Sequence, residues 1–364
     1  LSRTVCSVVG ARPNFMKIAL LHRELRRRGL EHRLVHTGQH YDDHMSRVFF
    51  EQLRLPRPDH NLGVGSGTHA EVTGKTMMAF ERICLRERPD LVVVVGDVNS
   101  TLAAALAARK LDIPVAHVEA GLRSFDEGMP EEHNRRLTDC LSDLLFATEP
   151  SAMRNLEREG MDMRRAHLVG DAMLETLLAS LDRLEDRAPW QDYGLEKKEY
   201  VLCTMHRPQN VDAPDALEEL FGLLQQMPWP VLFPMHPRTR ASVERAGLGE
   251  RLQTLTGVRC VAPVSYLDFL CLMRECRMLF SDSGSVQSEA ALFNVPCLSC
   301  RENTERPVYT EQGTTELVGR DADKVRCAVE AVRQGRFKTS TPVIRTLGQD
   351  VSARIAGQVH DFLC

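Results

Sequence analysis

The sequence predicts an α/β protein of two doubly wound, Rossmann-like domains facing each other across a cleft, and three observations predict it. Short apolar runs such as Leu91–Val95 alternate with helix-forming segments such as the alanine-rich Asn99–Lys110, the pattern of parallel strands buried on both faces. Glycine or polar turns follow those runs, at Gly10-Ala11-Arg12-Pro13, Gly38-Gln39, Gly96-Asp97, Gly170-Asp171 and Asp282-Ser283-Gly284. The polar segment Glu185–Lys198, with Pro189 inside it, then separates one strand–helix series from a second. The expected division is 1–184, 185–350, and a last segment 351–364 whose helix, Val351–Phe362, crosses back to the first domain.

The first series opens with a strand at Val5–Val9, broken by the Gly10–Pro13 turn, and a helix begins near Asn14 and runs to about Arg28. Strands follow at Arg33–Thr37, Leu91–Val95, Val115–Val118, Leu144–Ala147 and Ala166–Val169. The glycine-rich Gly63–Gly67 follows no strand and reads as a loop. In the second series, strands are expected at Tyr200–Met205, Val231–Pro234, Arg259–Val261, Met278–Ser281 and Cys297–Ser299, with helices between. Open α/β sheets of this kind bind ligands where strands finish at their carboxyl ends.

Composition narrows the class. The 364 residues are 43% hydrophobic and 26% charged, ordinary for a globular protein of two cores. With 46 basic against 50 acidic residues the net charge is −4, so nothing marks a nucleic-acid partner. No apolar run reaches the roughly 18–20 residues that span a bilayer, and no signal-peptide pattern opens the sequence. Eleven scattered cysteines, an odd count, suit reduced thiols and a cytoplasmic location. Cys297-Leu-Ser-Cys300 is a lone pair without a second, and reads as buried packing rather than a zinc or redox site. His36, His40 and His44 straddle a strand end and a loop, so no metal site is expected.

Chemistry concentrates between Gly96 and Arg135. Asp97 and Glu119 stand at the ends of adjacent expected strands, and Glu131 follows on a short loop. Three carboxylates in one crevice suit proton transfer. The structural alternative is that they cap helices or pair with Arg123 and Arg135. Two anion sites accompany them. One is the Gly10–Pro13 turn with its following helix start, where Arg12 and Lys17 add positive charge. The other is Asp282-Ser283-Gly284-Ser285 ahead of a helix carrying Glu289, which could equally be a plain Ser/Asp N-cap. Opposite each other they suit a diphosphate. His206-Arg207, His236-Pro237-Arg238 and Thr304-Glu305-Arg306 add cations, and Phe269 is placed to stack on a base or to fill a core. No G-x-G-x-x-G or P-loop is present, so neither a dinucleotide nor ATP is indicated.

These motifs in this order resemble the non-hydrolysing UDP-N-acetylglucosamine 2-epimerases, which have the GT-B fold. The resemblance covers nearly all of 4–320 and rests on Gly10-Ala11-Arg12-Pro13 with Lys17, Thr37-Gly38-Gln39-His40, Gly96-Asp97 and His117-Val118-Glu119-Ala120-Gly121-Leu122-Arg123. Pro130-Glu131-Glu132-His133-Asn134-Arg135, His206-Arg207, Asp282-Ser283-Gly284 and Thr304-Glu305-Arg306-Pro307 complete it. It implies an isomerase that interconverts UDP-GlcNAc and UDP-ManNAc by eliminating UDP and adding it back through a glycal, without a cofactor or metal. Asp97, Glu119, Glu131 and His206 would then be catalytic. Arg12, Lys17, Arg135, Phe269, Ser283, Gly284, Ser285, Glu289 and Arg306 would hold the UDP-sugar, with Glu289 on the ribose and Phe269 on uracil.

The sequence departs from the family's pattern in several places. Pro208-Gln209 replaces the usual Arg-Glu after His206-Arg207, Ser285 stands where a second glycine is common, and Asn14 where Glu is frequent. Gln39, Arg207 and His236 match parts of the site at which some bacterial members bind an activating second UDP-GlcNAc, but Asp42 stands where that site has Gln. Gly-Ala-Arg-Pro-Asn-Phe and His-Thr-Gly-Gln-His-Tyr-Asp also resemble epimerases of UDP-2,3-diacetamido-glucuronate. A hydrolysing 2-epimerase and a glycosyltransferase of the same fold are the remaining alternatives. The resemblance further implies a cytoplasmic homodimer, with no nucleic-acid or membrane partner, serving cell-surface polysaccharide synthesis.

Overall fold

A computed structural model describes residues 3–10, 12–38 and 57–364. The chain divides into two compact units, Leu1–Leu178 with Thr346–Cys364, and Ala179–Arg345. Unit 1 holds strands β1 (Thr4–Val9), β2 (Glu31–His36), β3 (His60–Asn61), β4 (Leu91–Val95), β5 (Val115–Ala120), β6 (Leu144–Ala147) and β7 (Ala166–Leu168). They pair in parallel in the order β3-β2-β1-β4-β5-β6-β7. Its helices are α1 (Arg12–Arg27), α2 (His69–Glu87), α3 (Asn99–Lys110), α4 (Pro130–Leu141), α5 (Pro150–Arg158) and α6 (Ala172–Leu178). The strand order reverses between β1 and β4. Helices leaving those two strands cross the sheet in opposite directions and open a crevice above their carboxyl ends.

Unit 2 repeats the plan with β8 (Val201–Thr204), β9 (Val231–Pro234), β10 (Val258–Val261), β11 (Met278–Ser281), β12 (Cys297–Ser299) and β13 (Thr315–Leu317). All are parallel, in the order β10-β9-β8-β11-β12-β13, so the reversal falls between β8 and β11. Two helices matter here, α7 (Tyr266–Glu275) and α8 (Ser285–Leu292).

The physics behind the central strands is simple. Every residue of β4, Leu-Val-Val-Val-Val, is buried, because helices cover both faces. Ala103, Ala104, Ala105, Ala107 and Ala108 of α3 are buried too, small side chains that let the helix lie close on the sheet. The C-terminal helix Val351–Leu363 belongs to unit 1, and its start has no cap of its own. Glu175 of α6 caps it instead, accepting from the Ser352 amide at 3.0 Å and hydroxyl at 2.5 Å.

Several expectations are corrected. Helix α1 starts at Arg12, because Pro13 suits a first helical turn and does not delay it. Strand β5 runs two residues further than Val118, so Glu119 lies within it. Glu131 is not on a loop; it sits in the first turn of α4, behind Pro130. The edge strands β3 and β13 were not foreseen, being too short and too polar to show a period. Cys297 and Cys300, by contrast, are buried as expected, and burial pushes the Cys297 thiol up to about 12.

A histidine pair makes unit 1 acid-sensitive. His22 Nδ1 of α1 lies 2.7 Å from His32 Nδ1 of β2, and His32 Nε2 lies 2.7 Å from Ser7 Oγ. Burial pushes His32 down to about 3, with His22 and Arg26 acting the same way and Asp59 opposing. His22 is also lowered, first by burial, then by Arg26. His32 thus stays neutral in the fold well below the pH near 6.5 at which an unfolded histidine takes a proton. Stability should therefore be full above about pH 6.5 and fall as pH drops toward 3, by up to about 1.4 kcal/mol per pH unit from His32 alone. Urea midpoints measured across that range check this, and His32→Gln should flatten the slope.

Candidate active site

The Gly96 turn ends β4 at a φ of +70°. A Cβ there would meet Asn14 Nδ2 at 3.3 Å, Glu119 Oε2 at 3.4 Å and Lys17 Nζ at 3.5 Å. Glycine thus lets the turn close onto side chains from α1 and β5. Asn14 Nδ2 donates to the Val95 carbonyl at 3.0 Å, tying α1 to β4. Asp97 follows, its side chain 33% exposed, with Oδ2 accepting from Arg135 Nε at 3.0 Å and Nη2 at 2.8 Å. That fork-like pairing comes from α4, whose Asn134 also donates to the Asp97 carbonyl at 2.8 Å.

Glu119 stands at an irregularity of β5, where the register with β6 shifts between Val118 and Ala120. Its φ is +76°, a conformation that costs a non-glycine residue roughly 1–3 kcal/mol and that clusters at functional sites. The bulge turns its carboxylate to Lys17, at 2.5 Å from Nζ, and both side chains are nearly buried. Glu131 and Glu132, neighbours in sequence, have different tasks. Glu132 is fully buried and accepts from the Ser124 amide and hydroxyl, the Phe125 amide and Arg135 Nη1. Burial alone would raise its carboxyl, but these donors and the Arg135 charge hold it below the usual range. Glu131 is only partly buried, and its carboxylate makes no hydrogen bond or ion pair among the described residues.

In unit 2, Asp282 follows β11, fully buried. It is not an N-cap: its oxygens accept from the His206 amide at 3.0 Å, the Arg207 amide at 2.8 Å and Asn210 Nδ2 at 3.0 Å. His206 Nδ1 lies 3.0 Å from Oδ1, which directs Nε2 of this partly exposed ring away from the carboxylate. Burial opposes ionisation of Asp282, and His206 with the other donors outweighs it, so the carboxyl stays below its usual range. Helix α8 then starts at Ser285 with no side-chain cap, leaving its first amides open beside Ser283 Oγ and Ser285 Oγ, 3.2 Å apart.

Beneath that helix start lies a residue the sequence reading missed. Arg301, two residues past β12, is 4% exposed; Nη2 pairs with Glu305 Oε2 at 2.5 Å. Its Nε and Nη1 have no partner, and Nη1 is 3.0 Å from where a Cβ on Gly284 would sit. A buried arginine with unmatched donors under an open helix start is a fixed positive charge aimed at an anion. Only its place after a strand end, in a run already singled out for Thr304-Glu305-Arg306, could have signalled it. Arg306 is buried in that run, with its amide donating to Thr304 Oγ1 at 3.1 Å. Glu289 is buried in α8 and accepts from the Tyr266 hydroxyl at 2.9 Å, and burial and Glu289 push that phenol well up. Phe269 is partly buried on α7. The His236 ring accepts from the Arg238 amide at 3.1 Å and lies 5.4 Å from the His206 ring.

Arg12 is the first residue of α1, and its side chain, like Gln39, His40, Asp42 and His44, lies outside the described residues. His36 is buried in β2 against Phe15. Among the described residues no group of three or more His, Cys, Asp or Glu is placed to hold a metal, and no helix is long and apolar enough to cross a membrane.

The sequence model of the family described as UDP-N-acetylglucosamine 2-epimerase matches residues 23–357. The chain belongs to that family. A UDP-N-acetylglucosamine 2-epimerase of Methanocaldococcus jannaschii is 41% identical over 342 residues, 92% of this chain and 93% of that one. A UDP-2,3-diacetamido-2,3-dideoxy-D-glucuronate 2-epimerase of Pseudomonas aeruginosa is 40% identical over 342 residues, again 92% and 93%. The crystal structure of the M. jannaschii UDP-GlcNAc 2-epimerase in complex with UDP-GlcNAc and UDP superposes with a TM-score of 0.89 at 38% identity, covering 98% of this chain and 99% of that one. The 2-epimerase described here is accordingly an isomerase of UDP-sugars with a GT-B-like fold.

Proposed function

We propose that this epimerase interconverts UDP-GlcNAc and UDP-ManNAc by elimination and re-addition of UDP. A hydrogen on C2 of a hexose has no adjacent carbonyl to make it acidic, so removal and return alone is too slow. Elimination avoids that: a carboxylate takes the C2 proton, the C1–O bond breaks, its electron pair leaves with UDP, and a C1–C2 double bond forms. Protonation at C2 from the other face and re-addition of UDP at C1 then give the epimer. Asp97, Glu119 and Glu131 are the acids and bases for the two faces. Negative charge builds on the leaving diphosphate, and His206, Ser283, Gly284 and Arg12 meet it, with Arg301 adding its buried charge. Lys17 and Arg135 order the carboxylates, Arg306 and Ser285 help hold substrate, and Glu289 and Phe269 hold the ribose and uracil.

The observation that carries this reading is the strand-end pair: Asp97 and Glu119 leave adjacent strands, each gripped by its own cation, Arg135 and Lys17. Structural carboxylates do not need a strained backbone to reach a partner, and Glu119 has one. A second substrate is favoured by the Pseudomonas relative, which is as similar as the archaeal one: UDP-2,3-diacetamido-glucuronate. Proton NMR in D₂O separates the two. With UDP-GlcNAc, deuterium should enter C2 as a manno anomeric signal grows; silence there, with turnover of the diacetamido-uronate, would move the enzyme to the second substrate. We also propose that it works as a cytoplasmic homodimer, which sedimentation of the purified protein checks.

A further inference from the structure

We propose that His117 and Asp139 are positioning residues that set the spacing of the two catalytic carboxylates, Asp97 and Glu119, an inference that rests on the function proposed above. The backbone cannot set it. Pairing of β4 with β5 ends at Val95 and Val118, with one last bond from the Gly96 amide to the Val118 carbonyl at 3.0 Å. Past that point Gly96 turns away at φ +70° and Glu119 bulges at +76°, so neither acid is held by a ladder.

Side chains take over there. His117, fully buried in β5, points Nε2 at the Gly96 carbonyl, 2.8 Å away, and Nδ1 at Asp139 Oδ1, 2.6 Å away. A carbonyl has no proton to give, so Nε2 donates. Asp139 Oδ2 in turn accepts from the Gly121 amide at 3.0 Å. One chain of hydrogen bonds therefore runs from the residue before Asp97 to the second residue after Glu119. Asp139 lies on α4, the same helix whose Arg135 grips the Asp97 side chain. Burial opposes ionisation of Asp139, but His117 at 2.6 Å and Arg123 Nη2 at 2.7 Å hold its carboxyl below the usual range, and Nε and the same Nη2 of Arg123 also pair with Glu159. An apolar core would fill this volume without burying the Asp139 and Arg123 charges, and fixing one arrangement is the best-attested use of such a buried network.

Two substitutions separate positioning from packing. The amide nitrogen of His117→Asn falls near the place of Nδ1 and keeps Asp139 while losing Gly96. That of His117→Gln falls near the place of Nε2 and keeps the Gly96 carbonyl. Each variant breaks one link of the chain, so we expect both His117→Gln and His117→Asn to lose about 10–100-fold in kcat with KM within about 3-fold, the scale of a small misplacement of reacting groups. A near-wild-type kcat in either variant, or losses that only follow the folded fraction in thermal melts, would overturn the proposal. Wild type and Asp97→Asn run alongside: an inactive wild type, or an indifferent Asp97→Asn, counts against the parent function alone. In that event crystal structures of wild type and His117→Asn decide. A shift of Gly96 and Asp97 of about 0.5 Å or more supports the clamp, and an unmoved turn ends it.

Discussion

Replacing Asp97 with Asn, Glu119 with Gln or Glu131 with Gln is expected to lower kcat by about 10²–10⁴-fold each, the usual contribution of one acid–base group. The three should differ in stability, and that difference is diagnostic. Glu119→Gln strands Lys17, whose ammonium is nearly buried 2.5 Å from the lost charge, and breaking such a pair costs about 3–5 kcal/mol. Adding Lys17→Met should restore much of the melting temperature and none of the turnover. Asp97 is a third exposed and Glu131 is partly buried, so their variants should melt close to wild type. Steady-state epimerisation with paired thermal melts reads both quantities. Near-wild-type kcat in all three would end the assignment of these carboxylates.

The contrast between those carboxylates also shows which parts of the site a sequence can display. Strand β4 and helix α3 are legible to the residue, because a wholly buried parallel strand is continuously apolar and a helix lying close on a sheet is alanine-rich. Asp97 and Glu119 are legible as strand-end acids for the same reason: the apolar runs end where they begin. The bulge at Glu119 leaves no such trace, since a left-handed glutamate inside a strand breaks the residue preferences used to read one. Glu131 and Glu132 look identical in sequence, and only the Ser124–Phe125 turn folding onto Glu132 makes one structural and leaves the other partly exposed. His117 and Asp139 meet across 22 residues of chain, and a contact of that kind has no period or spacing to betray it. The doubly wound plan survived these misses because it depends on burial pattern alone.

Gly121→Ala should be among the most damaging single changes in unit 1 that alters no charge. Its φ is +78°, and a Cβ would lie 2.4 Å from the Ala152 carbonyl oxygen and 2.9 Å from Leu156 Cγ, both on α5. The oxygen is backbone and cannot rotate aside. Neighbouring helices also hold the residue in place, Asp139 of α4 through its amide and Asn155 of α5 through its carbonyl. Left-handed strain costs about 1–2 kcal/mol and overpacking a further 1–3 kcal/mol, so a loss of about 2–5 kcal/mol is expected, near 10 °C in melting temperature for a unit of this size. Gly160 supplies the control. It shares a φ of +75° but has nothing within 4 Å of its Cβ position, so Gly160→Ala carries the backbone strain without the collision. If the two variants melt alike, the close approach of α5 to the strand end is not what holds Gly121. If Gly121→Ala falls well below Gly160→Ala, the excess measures that contact, and a parallel loss of kcat would show the bulge at Glu119 moving with it.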